Sequence, residues 1–379
     1  MKTAVITDAR YRFTVPMIRS LAKAGYRVVA CEYTDVPEGE ILGFRSSGAA
    51  ACERIDAQAF SAALDALGEK YGDYALLAVS QRTMALLNRA AHSARAHFLI
   101  PSDETISLCN DTARLLEQIE GAPVRAPRTY AGPEEADVFP CVVKYRSGEL
   151  LHLKPRERYA IVQNAQELRA VYARFSAVQE DPVVQQYIAG DGYGVGFVAN
   201  RSHEIVDFIC HRRLREYPLA GGPSAYCESI YEAELLRMTQ ILVEKTRYTG
   251  VGMAEFKGGA ENGFYLMEIN PRFWGSSALV EVAASTLYDS LARLSFGEAL
   301  QENTKVRYQV GRRMHYFPQN LLALRELAAR DGAAKALGGF FEEYFTPGVK
   351  DGLFRFSDCA PFFCYLRGLV RRGRQENTQ

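Results

Sequence analysis

The first hundred residues alternate short apolar runs with stretches of helical spacing. TAVIT (3–7) reads as a buried strand, Val15, Ile18, Leu21 and Ala22 recur on one helix face, and Gly25 sits where a helix C-cap belongs. YRVVACEY (26–33) is the next strand, so the chain opens strand, helix, strand: a parallel sheet with a right-handed crossover. The same reading predicts a helix near 59–70, a strand over 74–80, a helix near 82–95 and a strand over 97–101. Ser102 or Asp103 caps a helix running to about Ile119, and GAPVRAPRTY (121–130) is punctuated like a linker.

Beyond the linker the pattern changes. Strands are expected over 138–146, 159–163 and 182–190, with a helix over 165–176. A hairpin-like pair of strands follows around Asn200, Arg201 and Ser202, then a loop through LAGGPSAYCESI, a helix over 231–246 and a strand over 250–258. A turn at Glu261, Asn262 and Gly263 leads into YLMEIN, and consecutive strands joined so tightly make an antiparallel sheet.

Composition narrows the function classes. With 379 residues the chain can build two or three cores. Its 45 basic and 45 acidic residues give a net charge of +0, which leaves no global field to hold nucleic acid. Eight cysteines, without a C-x-x-C pair or a histidine at metal spacing, read as buried reduced thiols of a cytoplasmic protein. MKTAVITDARYRF lacks the apolar stretch of a signal peptide, and no run of about 18 apolar residues predicts a transmembrane segment. The first turn, TDARYRF, has no glycine, so a G-x-G-x-x-G dinucleotide site is rejected.

Candidate chemistry concentrates in FYLMEINPRFWGSSAL. Glu268, Asn270 and Arg272 alternate, so one strand face would carry all three while Met267 and Ile269 pack on the other. The short turn pins MAEFKG against YLMEIN, which sets Glu255 across from Glu268 with Asn270 beside them. Such an all-oxygen set suits a hard divalent cation shared with substrate phosphates, and does not suit zinc. Cations at strand ends, namely Lys144, Lys154 and the run His211, Arg212, Arg213 and Arg215 before a Gly-Gly-Pro-Ser loop, supply the donors phosphates need.

Over roughly residues 1–300 the chain resembles the ATP-grasp superfamily, and more narrowly its carboxylate-amine ligases and D-aspartate-ligase-like proteins, related to the carbamoyl-phosphate synthetase large subunit. The strongest passage is MEINPRFWGSSAL. The resemblance implies an α/β architecture: a Rossmann-like parallel-sheet domain over 1–110, a two-lobed ATP-grasp fold (α+β) with linker helix and small lid lobe over 111–190 and metal and phosphate lobe over 191–300, and a C-terminal helical extension over 301–379. It implies that Glu255, Glu268 and Asn270 bind Mg²⁺, with Mn²⁺ as an alternative, and that Arg272 stabilises an acyl phosphate. Lys144 would contact ATP phosphate, aided by Lys154, and the hinge Gln185, Gln186, Tyr187 and Ile188 would grip adenine, with Met267 lining the nucleotide site. Arg213 and His211 would face the phosphates.

The sequence departs from that family in three places. Gln186 stands where an acid usually holds the ribose, Asp111 is followed by Thr112 where a lysine is common, leaving Arg114 as a substitute, and SGELLHLKPRERY has one glycine, Gly148, where a glycine-rich loop is usual. The expected reaction joins a small-molecule carboxylate to an amine through an acyl phosphate, releasing ADP and phosphate. Two readings stand beside it: an ATP-dependent carboxylating or carbamoyl-phosphate-forming enzyme, and a nucleotide-binding regulatory protein without turnover. Arg10, Arg12, Ser80, Gln81 and Arg82, at the expected strand ends, are the specificity candidates. A homo-oligomer is left open, and the aromatic stretch after residue 300 is expected to pack as helices on the C-terminal lobe.

Overall fold

The computed structural model describes residues 1–90, 93–148, 151, 153, 157–219, 222–259 and 261–376. Strands β1 (Thr3–Ile6), β2 (Arg27–Tyr33), β3 (Ala51–Ile55), β4 (Tyr74–Leu77) and β5 (Ala96–His97) form a parallel sheet in the order β3-β2-β1-β4-β5. β1 and β4 are buried at every position, as central parallel strands are when both faces are covered. β3 was not expected from the pattern. It is an edge strand that exposes Cys52 and Arg54, and such edges lack the continuous apolar run that marks a central strand.

The helix Thr14–Lys23 buries Val15, Met17, Ile18 and Leu21, each contributing about 1.5–3 kcal/mol by leaving water. The single helix expected from 102 to 119 is two, Asp103–Asn110 and Thr112–Gln118. Asp111 between them is extended, and its carboxylate accepts hydrogen bonds from the N–H groups of Ala113 and Arg114 at 3.0 and 3.2 Å. A side chain that caps the second helix competes with continuation of the first. The helix expected to reach residue 95 stops at Arg89, and the strand expected over 97–101 pairs only through Ala96 and His97.

A small antiparallel sheet follows, ordered β6-β9-β7-β8 from β6 (Thr129–Tyr130), β7 (Cys141–Lys144), β8 (Tyr159–Val162) and β9 (Val183–Gln186). The helix Ala165–Ser176 covers it through Leu168 and Phe175, which join Cys141, Val143, Val162 and Val184 in a core separate from the main one.

The large sheet runs β14-β13-β10-β11-β12-β15-β16, from β10 (Asp191–Ala199), β11 (Ile205–Glu216), β12 (Ser224–Ile230), β13 (Gly250–Gly259), β14 (Gly263–Asn270), β15 (Arg313–His315) and β16 (Lys350–Asp351). Its core is continuous with that of the first sheet: Val5 and Leu77 belong to the same apolar cluster as Phe197, Phe256 and Tyr288.

Residues after 300 form the helices Gln319–Asp331, Ala333–Phe345 and Ala360–Glu376, but they are not helical alone. β15 pairs with β12, and β16 pairs with β15. Besides this packing on the large sheet, the extension also packs on the parallel-sheet region. Val15 and Leu42 share a core with Leu353 and Cys364, and Arg19 Nε donates to Asp358 at 2.8 Å. All eight cysteines are free, with Cys52 exposed rather than buried and Cys359 half-buried.

Candidate active site

The register of the large sheet builds the floor of the site. Glu268 faces Glu255 across the β13-β14 hairpin, Glu255 faces Gly194, and Gly194 faces His211, so these residues stand in one row across four strands. On β10 the alternate residues Gly192, Gly194 and Gly196 lie on the same face. A Cβ on Gly194 would come within 2.3 Å of the His211 ring, and one on Gly196 within 2.1 Å of the Trp274 ring. Absence of side chains there leaves the space that Arg213, His211 and Trp274 fill. Sequence reasoning missed this stripe, although alternate glycines in GYGVG were its signal.

A bulge shifts the pairing after Glu255, so that Phe256 opposes Leu266 and Met267 is the additional residue. Met267 is therefore half-buried, not packed like the buried Ile269. Strand pairing ends at Asn270, and Arg272 lies in the turn beyond it, which corrects the expectation of three polar residues on one strand face. The Asn270 amide donates to Glu268 Oε1 at 2.9 Å, and Arg272 Nη1 donates to the Phe273 carbonyl at 2.9 Å.

Arg213 is the main cation of the floor, with Nη2 2.5 Å from Glu255 Oε2 and Nη1 3.1 Å from Glu216 Oε1. Burial pushes the Glu255 carboxyl above the usual carboxylate range, and Arg213 opposes that shift. His211 is buried, and burial together with Arg213 holds its imidazole down to about 3. A neutral ring 3.2 Å from Ser276 Oγ braces the turn after β14 and cannot act as a general acid near neutral pH.

The small sheet supplies the roof. Burial lowers the Lys144 ammonium to about 8, while Glu268 and then Glu255 pull it upward, so the lysine at the end of β7 lies within electrostatic reach of both carboxylates. Its register partner on β8, Tyr159, has its hydroxyl raised by burial and by the nearby charges of Glu216 and Glu255. Tyr159, Glu216 and Lys257 belong to this cleft and were not anticipated. The Lys257 ammonium sits 4.8 Å from the centre of the Tyr187 ring, linking the floor to the hinge.

The hinge joins the two sheets. Gln185 is buried and donates to Thr129 Oγ1 at 2.9 Å, Gln186 N–H donates to the Arg128 carbonyl at 2.8 Å, and Ile188 is buried. Lys154 lies outside the described residues, as does Arg156. Arg114 is exposed and donates to Ser107, while Arg146 pairs with Asp111 at 3.1 Å, so Asp111 serves as a helix cap and in an ion pair.

At the strand ends of the first sheet, Arg10 pairs with Glu32 at 2.6 Å, Ser80 caps the helix Gln81–Arg89, Gln81 bonds Asn110, and Arg82 pairs with Asp35. Arg12 lies against Tyr316.

No group of three or more His, Cys, Asp or Glu converges as a metal cage among the described residues. Two carboxylates and one amide oxygen are the donor set on offer. That number suits a hard cation completing its shell with water and phosphate, and a cation there would take over the role Arg213 now plays beside Glu255.

No protein-family model and no curated protein matches this sequence. Solved structures do match the fold. A biotin carboxylase complex with β-γ-ATP from Campylobacter jejuni gives a TM-score of 0.59 at 15% identity over 83% of this chain and 74% of that one. N5-carboxyaminoimidazole synthetase from Staphylococcus aureus gives 0.58 at 16% identity over 82% and 80%. An L-amino acid ligase from Bacillus licheniformis gives 0.52 at 11% identity over 80% and 75%. Parallel sheet, small antiparallel lobe and large sheet ending in the Glu255–Glu268 hairpin make up the fold this chain shares with these three structures.

Proposed function

We propose that the protein is an ATP-dependent carboxylate-amine ligase acting on small molecules in the cytoplasm. The observation that carries this reading is the pair Glu255 and Glu268 in register on the large sheet, with Lys144 of the other sheet close enough to sense both. A cleft with two oxygen ligands below and a cation above suits a nucleotide triphosphate and its metal.

In this reading Glu255, Glu268 and Asn270 hold magnesium or manganese, Lys144 contacts a phosphate, and residues 185–188 hold the base. Bound magnesium supplies neutralisation of charge on the transferring phosphoryl group. With Glu255 given to such an ion, Arg213 would be free to face the phosphates. The substrate carboxylate attacks the γ-phosphorus in line, the bond to the β-phosphate oxygen breaks, and ADP leaves. Arg272 stabilises the resulting acyl phosphate. The amine then attacks the acyl carbon, phosphate departs with the bonding pair, and the nitrogen loses a proton to give an amide.

An ADP-release screen over pairs of acids and amines tests this. ADP is expected only when both partners are present, and Glu268→Gln is expected to lower its release by about 100-fold or more. Release driven by bicarbonate without an amine would favour the carboxylating reading instead. A nucleotide-binding role without turnover is favoured by one observation, the 2.5 Å Arg213–Glu255 pair that occupies a metal ligand; it predicts ATP binding with no ADP under any pairing.

A further inference from the structure

Arg12 follows β1 and precedes the helix Thr14–Lys23, at the carboxyl end of a central parallel strand, where open α/β sheets form their crevice. It is half-buried, and its guanidinium carbon lies 3.7 Å from the centre of the Tyr316 ring. No hydrogen-bond acceptor or carboxylate meets this guanidinium among the described residues. Its neighbours are different: Arg10 reaches Glu32 at 2.6 Å, Arg19 reaches Asp358 at 2.8 Å, and Arg355 reaches Glu281 at 2.9 Å. A cation–π contact holds the group in place but satisfies none of its N–H donors.

Tyr316 ties this cation to the reaction site. It is buried just past β15, and its hydroxyl donates to the Gly275 carbonyl at 2.8 Å. Gly275 lies three residues beyond Arg272 and next to Ser276, which contacts His211. The ring carries Arg12 on its face and holds the turn through its hydroxyl, so the extension joins the first sheet to the segment where acyl transfer is proposed.

We propose that Arg12 anchors a second anionic group of the acid substrate, a carboxylate or a phosphate remote from the carboxyl that becomes phosphorylated, with Tyr316 as its positioning residue. The reacting carboxyl belongs beside Arg272 and Glu268, and Tyr316 links Arg12 to the turn that follows Arg272. A planar guanidinium with its fork of N–H donors matches either anion bidentately. Calling the ligand a substrate rests on the ligase reading; the anion seat itself does not.

Calorimetric titration of the full chain tests the seat with succinate against succinamate, and 3-phosphoglycerate against glycerate. In the wild type at least one anionic probe is expected to bind ten-fold or more tighter than its uncharged-ended counterpart, succinate indicating a carboxylate and 3-phosphoglycerate a phosphate. Arg12→Gln erases that preference to within two-fold, Arg12→Lys retains part of it, and both bind a non-hydrolysable ATP analogue as the wild type does. Absence of any preference in the wild type, or its survival in Arg12→Gln, overturns the assignment. Failure of the ATP analogue to bind the wild type would instead overturn the ligase reading, leaving the comparison of anionic and neutral probes intact.

Discussion

Glu268 and Glu255 face each other in register yet live in different surroundings. Glu268 is exposed, whereas Glu255 is partly buried and clamped by Arg213. Glu268→Gln is expected to lower turnover by about 100-fold or more while leaving the melting temperature nearly unchanged, because an exposed carboxylate contributes to charge stabilisation and little to packing. Glu255→Gln also impairs turnover, and it strips Arg213 of its main acceptor; denaturant titration should register a loss of about 3 kcal/mol. Lys144 gives a pH signature. The fold holds it at about 8, below the ordinary lysine value of 10.5, so the charged form is penalised below about 8 and that penalty fades as pH rises toward 10.5. Phosphates would favour the charged form. Nucleotide binding between pH 8 and 9 is therefore expected to take up a proton, visible as a buffer-dependent heat in calorimetry and absent in Lys144→Met.

The strand β10 shows what one element contributes to the site. Its alternate glycines keep one face bare, and the side chains of β11 and of the turn after β14 fill that space. Gly194→Ala and Gly196→Ala would each push a Cβ into a ring, at 2.3 and 2.1 Å, and are expected to cost about 1–3 kcal/mol in chemical denaturation. Gly275→Ala, where nothing lies within 4 Å, should stay within about 0.5 kcal/mol. Elements of this kind were legible in part. Apolar periodicity located β1, β2 and the helix Ala165–Ser176, because burial on a fixed face leaves its period in the sequence. The hairpin turn likewise foretold that Glu255 opposes Glu268. The bulge at Met267 left no such mark, since one additional residue changes pairing without changing composition, and Asp111 broke a helix through a side-chain cap that apolar spacing does not register.

At the scale of the whole molecule, Lys144 of one sheet comes under the charges of Glu268 and Glu255 of another, and no local period in the sequence encodes that meeting. The extension is legible in part for a similar reason: its aromatic, amphipathic stretches indicate the helices it forms, but β15 and β16 are too short to announce themselves, and their role is to complete a sheet made elsewhere. Arg19 illustrates how firmly the extension is joined, with bonds to Asp358 at 2.8 Å and to the Leu353 carbonyl at 2.9 Å. Arg19→Ala should lower stability by about 3 kcal/mol, read by denaturant titration, because it strands a largely buried carboxylate. Removal of 305–379 is expected to yield insoluble protein; a soluble truncation with full turnover would show that the extension does not support the core. The site between the sheets is the central claim, and a crystal structure with magnesium and a non-hydrolysable ATP analogue tests it most directly. The account predicts phosphates between Lys144 and the β13-β14 hairpin, with a metal coordinated at roughly 2.1 Å by Glu255 and Glu268. A nucleotide bound elsewhere, or phosphates in the cleft with Glu255 still closed on Arg213 and no metal on either glutamate, would contradict it.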